Sequence, residues 1–408
     1  MLELQKAIEA HKSCCRNKKR SEDSVAFEIH KESNLVKLCS DVNNGIFQSI
    51  PYTFMAKRPK PREVFAGEMP MRVCHHYIDQ RLRPLIEKEL TKVTYNNRIG
   101  YGQLACIDNV ISDIYEVSCG FTRDAWVVSL DLQGYFPNAQ QDLVFEQLND
   151  LLQRKYEGED KDTMLYLLQR SIFSYPTHHC YRKSPLWMWD DYPRNKSLFC
   201  KPDGVGGAIG YLIWQNAMNY YLNDYDHWLK DECGLHYTRF VDDQYFVTDN
   251  KECLLAMIPE MRKRLAEFGC TLHPRKMYCQ HISKGVKILG FVVKMDRVYV
   301  GNRIVRNAFN RLHRLNHRVA QCHIDEFIAS VNSYCGILKH CNGYAILRNF
   351  VDAVNPKWWQ YVHFNPKRLV FEANDGYKHR ERLIKKYHIK LSRKCKKKSR
   401  KSKVGNRS

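Results

Sequence analysis

The spacing of apolar and polar residues predicts a helical N-terminal region followed by a mixture of strands and helices. Over residues 1–50, apolar side chains recur between charges at helical spacing, so we predict a helical extension there. Residues 51–72 contain four prolines among basic residues, which indicates an extended hairpin or loop. Residues 73–93 and 103–118 return to helical spacing.

Two apolar runs in the middle of the chain end in acids or enclose them. Trp126–Asp131 is mostly apolar up to its last residue and predicts a buried strand, followed by a helix at about 140–156. Residues 237–247 predict a strand, a tight turn carrying two acids, and a second strand. Between these runs, residues 174–203 are irregular, and the glycine-rich segment 204–207 is predicted to open a helix that continues to about residue 229.

The C-terminal part is predicted to be mostly helical. Residues 252–268 have helical spacing, 286–293 and 297–300 indicate a pair of strands, and 302–350 are again helical. From residue 386 onward, lysine, arginine and serine dominate, and blocks of like charge are disordered when free.

Composition narrows the partners that the protein can have. The formal net charge is +21 and the sequence pI is about 9.3, so a polyanion is expected as partner. No apolar run has transmembrane length and the N-terminus lacks the apolar core of a secretory signal, so we expect a cytosolic protein with reduced thiols and no membrane partner. The 16 cysteines include no C-x-x-C pair, so zinc is not expected. Residues 178–180 (HHC) are a possible exception, but contiguous residues rarely converge on one metal.

Asp131 and the pair Asp242-Asp243 are the candidate metal ligands. Apolar residues on both sides of the pair should place these acids at a hairpin tip between buried strands. Crowded carboxylates repel one another unless a cation lies among them, and Mg²⁺ prefers such oxygen ligands. We therefore predict two Mg²⁺ ions, with Mn²⁺ as a substitute. The alternative is a solvated turn, in which Asp-Asp pairs are common.

Five segments resemble, in the right order, motifs A to E of reverse transcriptases. Motif A is DLQGYF, motif C is FVDD with Phe in place of the usual Tyr, and IGYLIWQ occupies the place of motif B. LHPRK resembles motif D, and GVKILG resembles the primer-gripping motif E. Motifs A, B, C, D and E are, respectively, residues 131–136, 209–215, 240–243, 272–276 and 285–290.

Motif B resembles that of reverse transcriptases from diversity-generating retroelements. Most reverse transcriptases have Gln where this chain has Ile209 and Pro where it has Gln215, whereas an I-G-x-x-x-S-Q form is typical of that family. Trp214, Tyr211 and Ala208 depart from its usual Ser, Asn and Pro. Further similar stretches are KPREVFA at 60–66, RVCHH at 72–76, KSLF at 196–199, SKGV at 283–286 and NSYCGILKH at 332–340.

The resemblance implies an α+β right-hand polymerase fold with an antiparallel palm sheet. Residues 1–50 would be a helical extension, 51–300 the fingers and palm, and 301–385 a helical thumb and C-terminal region. Residues 386–408 would be a basic, disordered tail. A group II intron-like or defence-associated reverse transcriptase is an alternative within the enzymes. A non-catalytic RNA-binding protein on a polymerase scaffold is an alternative outside them.

The resemblance also implies roles around the metals. Asp131 and Asp242 would ligate both ions with help from the Leu132 carbonyl oxygen, and Asp243 would be a supporting acid. Lys276 would protonate the leaving pyrophosphate, unless it is a surface lysine after a turn.

Nucleotide contacts are assigned in the same way. Phe136 matches the ring that excludes a 2′ hydroxyl, with core packing as the alternative. Lys57 and Arg62 would clamp the triphosphate, unless they lie in a solvated basic loop. Arg72 and Arg98 match finger residues near nucleotide and template, and a structural salt bridge is an equal alternative for each.

Three further groups complete the predicted site. They are the base-pocket residues of motif B, the turn of motif E that holds nucleic acid, and a basic tail that either grips RNA through counterion release or only aids solubility. Their members are Ile209, Gly210 and Gln215 in motif B, Leu289 and Gly290 in motif E, and Lys396, Lys397 and Lys398 in the tail.

The implied partners are a template RNA, a DNA primer or cDNA, dNTPs and a small basic accessory protein. The implied activity is error-prone copying of RNA into cDNA, with mutations at adenines, in a bacterial, archaeal or phage-infected host cytoplasm.

Overall fold

A computed structural model describes residues 1–16, 22–56 and 60–375 of the chain. The described residues up to 284 form one compact unit, and residues 285–375 belong to a second. No helix within these described ranges is long and apolar enough to span a membrane.

The N-terminal helices pack around one long helix. α1 (Leu4–Cys15), α2 (Glu22–Ile29) and α3 (Lys31–Asn43) all contact α4 (Met69–Glu89). The side chains of Ala7 and Ala10 on α1 are completely buried. The helical character predicted for residues 1–50 is therefore present.

A hairpin follows the N-terminal helices in the chain. β1 (Tyr52–Ala56) and β2 (Arg62–Ala66) are antiparallel, with Tyr52 opposite Ala66, and the two-residue β4 (Tyr181–Arg182) pairs in parallel with β1. The predicted extended hairpin at 51–72 is present, although α4 begins inside that range.

A four-stranded antiparallel sheet carries the acids. Its order is β5-β6-β3-β7, formed by β3 (Trp126–Asp131), β5 (His236–Phe240), β6 (Asp243–Thr248) and β7 (Tyr278–His281). Helix α5 (Gln103–Val117) packs against β5 and β6. Since β3 lies between two partners, its apolar run is buried, as its sequence predicts.

The helices behind the hairpin differ from the prediction in two places. α6 (Gln141–Lys155) matches the predicted helix, but α7 (Lys161–Ile172) was not predicted. The helix predicted to open at residue 204 begins later, as α8 (Leu212–Tyr221), and continues through α9 (Asn223–His227) into a π-helical turn, Trp228–Glu232. The prediction was wrong at this end because Gly204, Gly206 and Gly210 adopt positive φ angles, which a right-handed helix does not allow.

The first unit ends with α10 (Lys251–Ala256), α11 (Ile258–Glu267) and the strand β7 already described. Short 3₁₀ turns connect the longer elements of both units. They are Leu186–Trp189, Arg194–Lys196, Leu198–Cys200, Ile282–Lys284, Gln321–His323 and Pro356–Trp358.

The second unit begins with a three-stranded antiparallel meander. β8 (Val286–Ile288), β9 (Phe291–Val293) and β10 (Val298–Val300) lie side by side in the order β10-β9-β8. The predicted pair of strands is therefore three strands, because residues 286–293 form two strands joined by a turn.

Helices and a final hairpin complete the second unit. α12 (Asn302–Asn316), α13 (Ile324–Leu338) and α14 (Tyr344–Asp352) are followed by β11 (Val362–Asn365) and β12 (Val370–Ala373). The helices occupy the region 302–350 that was predicted to be helical, and the hairpin that follows it was not predicted. Two hydrogen bonds between the Asn332 side chain and the backbone of Phe371 tie this hairpin to α13.

Candidate active site

Strand register brings the three predicted acids together. β3 pairs with β6 so that Asp131 lies directly opposite Asp243. β5 pairs with β6 so that Phe240 is also opposite Asp243, which leaves a two-residue turn containing Asp242. The amide of Leu132 donates to the Asp242 carbonyl oxygen at 3.0 Å. The ends of three strand segments therefore converge on one point.

A buried ion pair holds the turn that presents Asp242. Val241 has a φ of 60°, a conformation that β-branched residues rarely adopt. Its carbonyl oxygen accepts a hydrogen bond from Arg239, whose guanidinium also donates to the Asn219 carbonyl oxygen at 2.9 Å. The same guanidinium forms a bidentate pair with Asp226, at 2.9 and 2.5 Å, and Tyr237 donates to that carboxylate. The sequence prediction missed this support, although an arginine next to a buried strand end is a signal for it.

The carboxylates raise one another's proton affinity. Burial together with the charges of Asp242 and Asp131 raises the pKa of Asp243 to about 7. Burial raises the pKa of Asp242 as well, and the charge of Asp131 adds to the effect. Oxygen ligands with this excess of negative charge suit a divalent cation such as Mg²⁺, so the donor set fits the predicted metals.

Two cations of the β1–β2 hairpin act on these acids. Arg62, exposed at the start of β2, opposes the rise in the pKa of Asp242. Lys60 does the same for Asp243. Arg62 is the predicted triphosphate contact, whereas the sequence prediction did not include Lys60, the first residue of the stretch KPREVFA.

Lys276 lies against the first of the acids. Its Nζ is 2.6 Å from an Asp131 carboxylate oxygen, and the lysine side chain is about half exposed. A β-bridge between Leu132 and Leu272 and a 2.7 Å hydrogen bond from the His273 amide to the Asp131 carbonyl oxygen hold this segment beside β3. The long-range pairing therefore delivers the lysine predicted from motif D to the carboxylates.

The glycine-rich segment before α8 forms hydrogen bonds both to β2 and to the loop that follows β3. The Gly207 amide donates to the Phe136 carbonyl oxygen, and the Phe65 amide of β2 donates to the Ile209 carbonyl oxygen, both at 2.8 Å. Gly210 has a φ of 112°, and a Cβ there would lie 2.2 Å from the Phe65 carbonyl oxygen. Only glycine fits at this position without displacing the β2 strand.

The aromatic residues of motifs A and B occupy different environments. Phe136 is half-buried and meets Tyr135 edge to face, with ring centroids 6.0 Å apart. Trp214 is buried, and a Cβ at Gly207 would come within 2.6 Å of its indole ring. The bulky Trp214 therefore fits because Gly207 has no side chain. Gln215 is half-buried on the same helix.

The contacts of Arg72 and Arg98 fit the salt-bridge alternative left open for each. Arg72 donates to the Tyr52 hydroxyl at 2.6 Å and pairs with Asp23 at 3.4 Å. Arg98 is buried and pairs with Glu87 at 2.7 Å. These arginines tie helix α4 to neighbouring segments of the first unit.

Leu289 and Gly290 form the turn between β8 and β9, as their place in motif E implies. Both have positive φ angles, 46° and 89°, and the Gly301 amide donates to the Gly290 carbonyl oxygen at 2.8 Å. Predicted contacts at Lys57, and at Lys396, Lys397 and Lys398, lie outside the described residues.

Comparison with known families decides the class of protein. The model of the family described as reverse transcriptase (RNA-dependent DNA polymerase) matches residues 59–293, more than half of the chain. The chain belongs to the reverse transcriptase family. The predicted right-hand polymerase fold with an antiparallel palm sheet is thereby confirmed, and the sheet β5-β6-β3-β7 is this reverse transcriptase's palm.

Several solved structures are also similar to this reverse transcriptase. Apo telomerase from Candida tropicalis, truncated from its C-terminal domain, has 11% identity and a TM-score of 0.42; the match covers 65% of this chain and 59% of the telomerase. Candida albicans telomerase with a TWJ fragment of telomeric RNA has 10% identity and a TM-score of 0.45, covering 77% and 57% respectively. The chain thus spans less than two thirds of these proteins' length. No curated protein matches it.

Proposed function

We propose that this reverse transcriptase copies a template RNA into cDNA at Asp131 and Asp242, extending a DNA primer with dNTPs. The observation that carries the proposal is the register that sets Asp131 opposite Asp243 beside the turn of Asp242. Asp131 and Asp242 would hold two Mg²⁺ ions, for which Mn²⁺ could substitute, with the Leu132 carbonyl oxygen as a further ligand. When bound, such ions activate the primer 3′ hydroxyl and stabilise the leaving pyrophosphate.

The chain's own residues would orient the reactants and supply a proton. Asp243 supports the two ligands from the opposite strand. Lys276 would donate a proton from Nζ to the leaving pyrophosphate, since it already lies beside Asp131. Arg62 would bind the triphosphate, because it is exposed and its charge already reaches Asp242. Phe136 would lie under the sugar and exclude a 2′ hydroxyl.

The test of this assignment uses Asp131→Asn and Asp242→Asn, with Asp249→Asn as matched control. Asp249 is an exposed acid just after the same hairpin, so its loss changes the net charge equally. Primer extension on an RNA template should be abolished in the first two variants and unchanged in the control, while RNA binding survives in all three. Substantial dNTP incorporation by either site variant with Mg²⁺ present would refute the assignment.

Within the family, we propose that the chain is the mutagenic reverse transcriptase of a diversity-generating retroelement. The support is Ile209, where most reverse transcriptases have Gln, and Gln215 in the same motif. The backbone of Ile209 is fixed by its hydrogen bond to Phe65, yet its apolar side chain can neither donate nor accept a hydrogen bond. Selection of the incoming nucleotide would then depend on the strength and shape of the base pair. Wrong nucleotides would therefore be rejected least efficiently opposite template adenine.

Partners and neighbouring segments follow from the same proposal. A structured template RNA and a small basic accessory protein would bind the polymerase. Residues 51–300 would supply fingers and palm, residues 301–385 the thumb, and the turn of Leu289 and Gly290 would contact the primer. A group II intron-like or defence-associated enzyme stays the alternative, since Trp214 departs from the retroelement pattern.

Fidelity discriminates between these enzymes. Ile209→Gln should lower misincorporation opposite template adenine more than opposite other bases, and a discrimination change of about 1.4 kcal/mol would be tenfold. Leu212→Gln, which changes a half-buried apolar residue three positions later, is the control. The cDNA made by each protein on one RNA template would be sequenced. Equal adenine error fractions in wild type and Ile209→Gln would leave Ile209 a packing residue.

A further inference from the structure

A cluster of three metal-binding side chains lies in the N-terminal helices. His11 and Cys15 are one turn apart on α1, and Glu28 lies on α2. One ligand atom from each residue meets the other two: His11 Nε2 is 3.3 Å from Cys15 Sγ and 3.3 Å from Glu28 Oε1, and Cys15 Sγ is 3.7 Å from that same oxygen. The three atoms therefore close a triangle of nitrogen, sulfur and oxygen.

The edges of this triangle match tetrahedral coordination of zinc. With Zn–N and Zn–O bonds of about 2.0–2.2 Å and a Zn–S bond of about 2.3 Å, tetrahedral angles separate N from S by about 3.6 Å, N from O by about 3.3–3.5 Å, and S from O by about 3.5–3.7 Å. The observed separations of 3.3, 3.3 and 3.7 Å lie close to these values.

The surroundings suit a neutral imidazole ligand and an open fourth position. His11 is 3% exposed, stacks on Phe27, and burial lowers its pKa, an effect that Lys31 reinforces and Glu28 opposes. Cys15 is buried as well, whereas half of the Glu28 side chain faces solvent. A water molecule can therefore complete a tetrahedron from the Glu28 side.

We propose that His11, Cys15 and Glu28 bind one Zn²⁺ ion, which joins α1 to α2. A mixed nitrogen, sulfur and oxygen donor set selects zinc over the hard cations of the palm, because Mg²⁺ and Ca²⁺ prefer oxygen alone. On binding, the Cys15 thiol releases its proton to solvent and the thiolate becomes the ligand. The competing arrangement is a hydrogen-bonded triad, in which the imidazole and the thiol both donate to Glu28.

The site has no C-x-x-C signature, which is why the sequence did not predict zinc. His11 and Cys15 share one helical face through their i, i+4 spacing, but the third ligand comes from a different helix. Since α1 also packs on α4, the proposed ion would fix α2 to the helical layer of the first unit.

The test is Co²⁺ and Zn²⁺ binding to full-length protein stripped with a chelator. Bound Co²⁺ should give the ultraviolet charge-transfer band of a cobalt thiolate, which the palm carboxylates cannot produce, and Zn²⁺ should displace it. Cys15→Ser should abolish the band, and Glu28→Gln should weaken Zn²⁺ affinity about tenfold or more. Cys14→Ser is the matched control, because Cys14 is the adjacent buried cysteine of α1 and should keep the band.

A measurement on the wild-type protein guards against variants that fail to fold. Zn²⁺ added back to the stripped protein should raise its melting temperature, and the rise should persist in Cys14→Ser and in Asp131→Asn. Absence of a thiolate band in wild type, or an equal band in Cys15→Ser, would overturn the zinc site and leave the hydrogen-bonded triad. Loss of polymerase activity does not enter either readout, so the proposal stands or falls separately from the active-site assignment.

Discussion

Arg239→Met should separate the stability of this reverse transcriptase from the geometry of its active site. The guanidinium of Arg239 is 1% exposed and its partner carboxylate, Asp226, is completely buried. Methionine removes the charge and leaves buried Asp226 without its cationic partner, and breaking a buried pair in this way costs about 3–5 kcal/mol in unfolding free energy. The substitution also removes the donor that reaches the Val241 carbonyl oxygen.

The loss of that donor should lower polymerase activity independently of the loss of stability. Val241 is held at a φ of 60°, and a non-glycine residue in that region costs about 1–3 kcal/mol. Without Arg239 we expect the turn to relax and the Asp242 carboxylate to move away from its place beside Asp131 and Asp243. Polymerase activity should then fall by more than the fraction of unfolded protein explains.

A double variant distinguishes the two effects. In Asp226→Leu with Arg239→Met, no charge is left buried, and replacement of a buried pair by apolar residues is often neutral or stabilising. We expect most of the lost unfolding free energy to return. Activity should stay low, because the Val241 carbonyl oxygen still lacks the hydrogen bond from Arg239. Urea denaturation and primer extension, under conditions where each variant is folded, measure the two quantities.

The control is Arg154→Met, which breaks an exposed pair with Asp150 and should cost less than about 1 kcal/mol in unfolding free energy.

Two results would refute the reasoning. A cost below about 1 kcal/mol for Arg239→Met would show that burial of the pair carries little energy. Recovery of both stability and activity in the double variant would show that Arg239 does not hold the catalytic turn.

Three further outcomes are expected. Phe136→Ala should raise the ratio of rNTP to dNTP incorporation efficiency in single-nucleotide kinetics, and an unchanged ratio would mean that the ring only packs. Gly210→Ala should slow primer extension and destabilise the fold by about 1–3 kcal/mol in urea, because its Cβ meets the Phe65 carbonyl oxygen and the φ is strained; wild-type behaviour would contradict the close approach. Because the folded protein raises the pKa of Asp243 from 3.8 to about 7, the metal-free folded state keeps a proton that the unfolded chain loses. Its unfolding free energy should therefore fall by at most about 4 kcal/mol as pH rises from about 4 to about 7. Asp243→Asn should flatten this decline in urea denaturation at several pH values, and an equally steep profile in the variant would contradict the shift.

The local sequence predicts the strands that carry the three acids because their pattern is local. Apolar residues on both sides of Asp242 and Asp243 favour a hairpin tip for the acids, and the short apolar run that ends at Asp131 favours a buried strand. The order of the five motifs likewise lies in the chain itself, so the reverse transcriptase family and its α+β palm could be inferred before any contact was known.

Tertiary structure decided which distant residues meet, because periodicity carries no information about pairing partners. The register that sets Asp131 opposite Asp243, and the bridge that brings Lys276 to Asp131, join segments more than one hundred residues apart. The segment before α8 is a loop rather than a helix because its amides and carbonyls bond to Phe136 and Phe65 instead of to a helical turn.

The same limit applies to the features that the sequence did not predict. Arg239 was recognisable only as a polar residue next to a strand end until its buried partner Asp226 was known. His11 and Cys15 share a helical face in the sequence, but the approach of Glu28 depends on how two helices pack. Side-chain convergence of this kind results from the packing of the whole unit, which no local pattern of apolar and polar residues specifies.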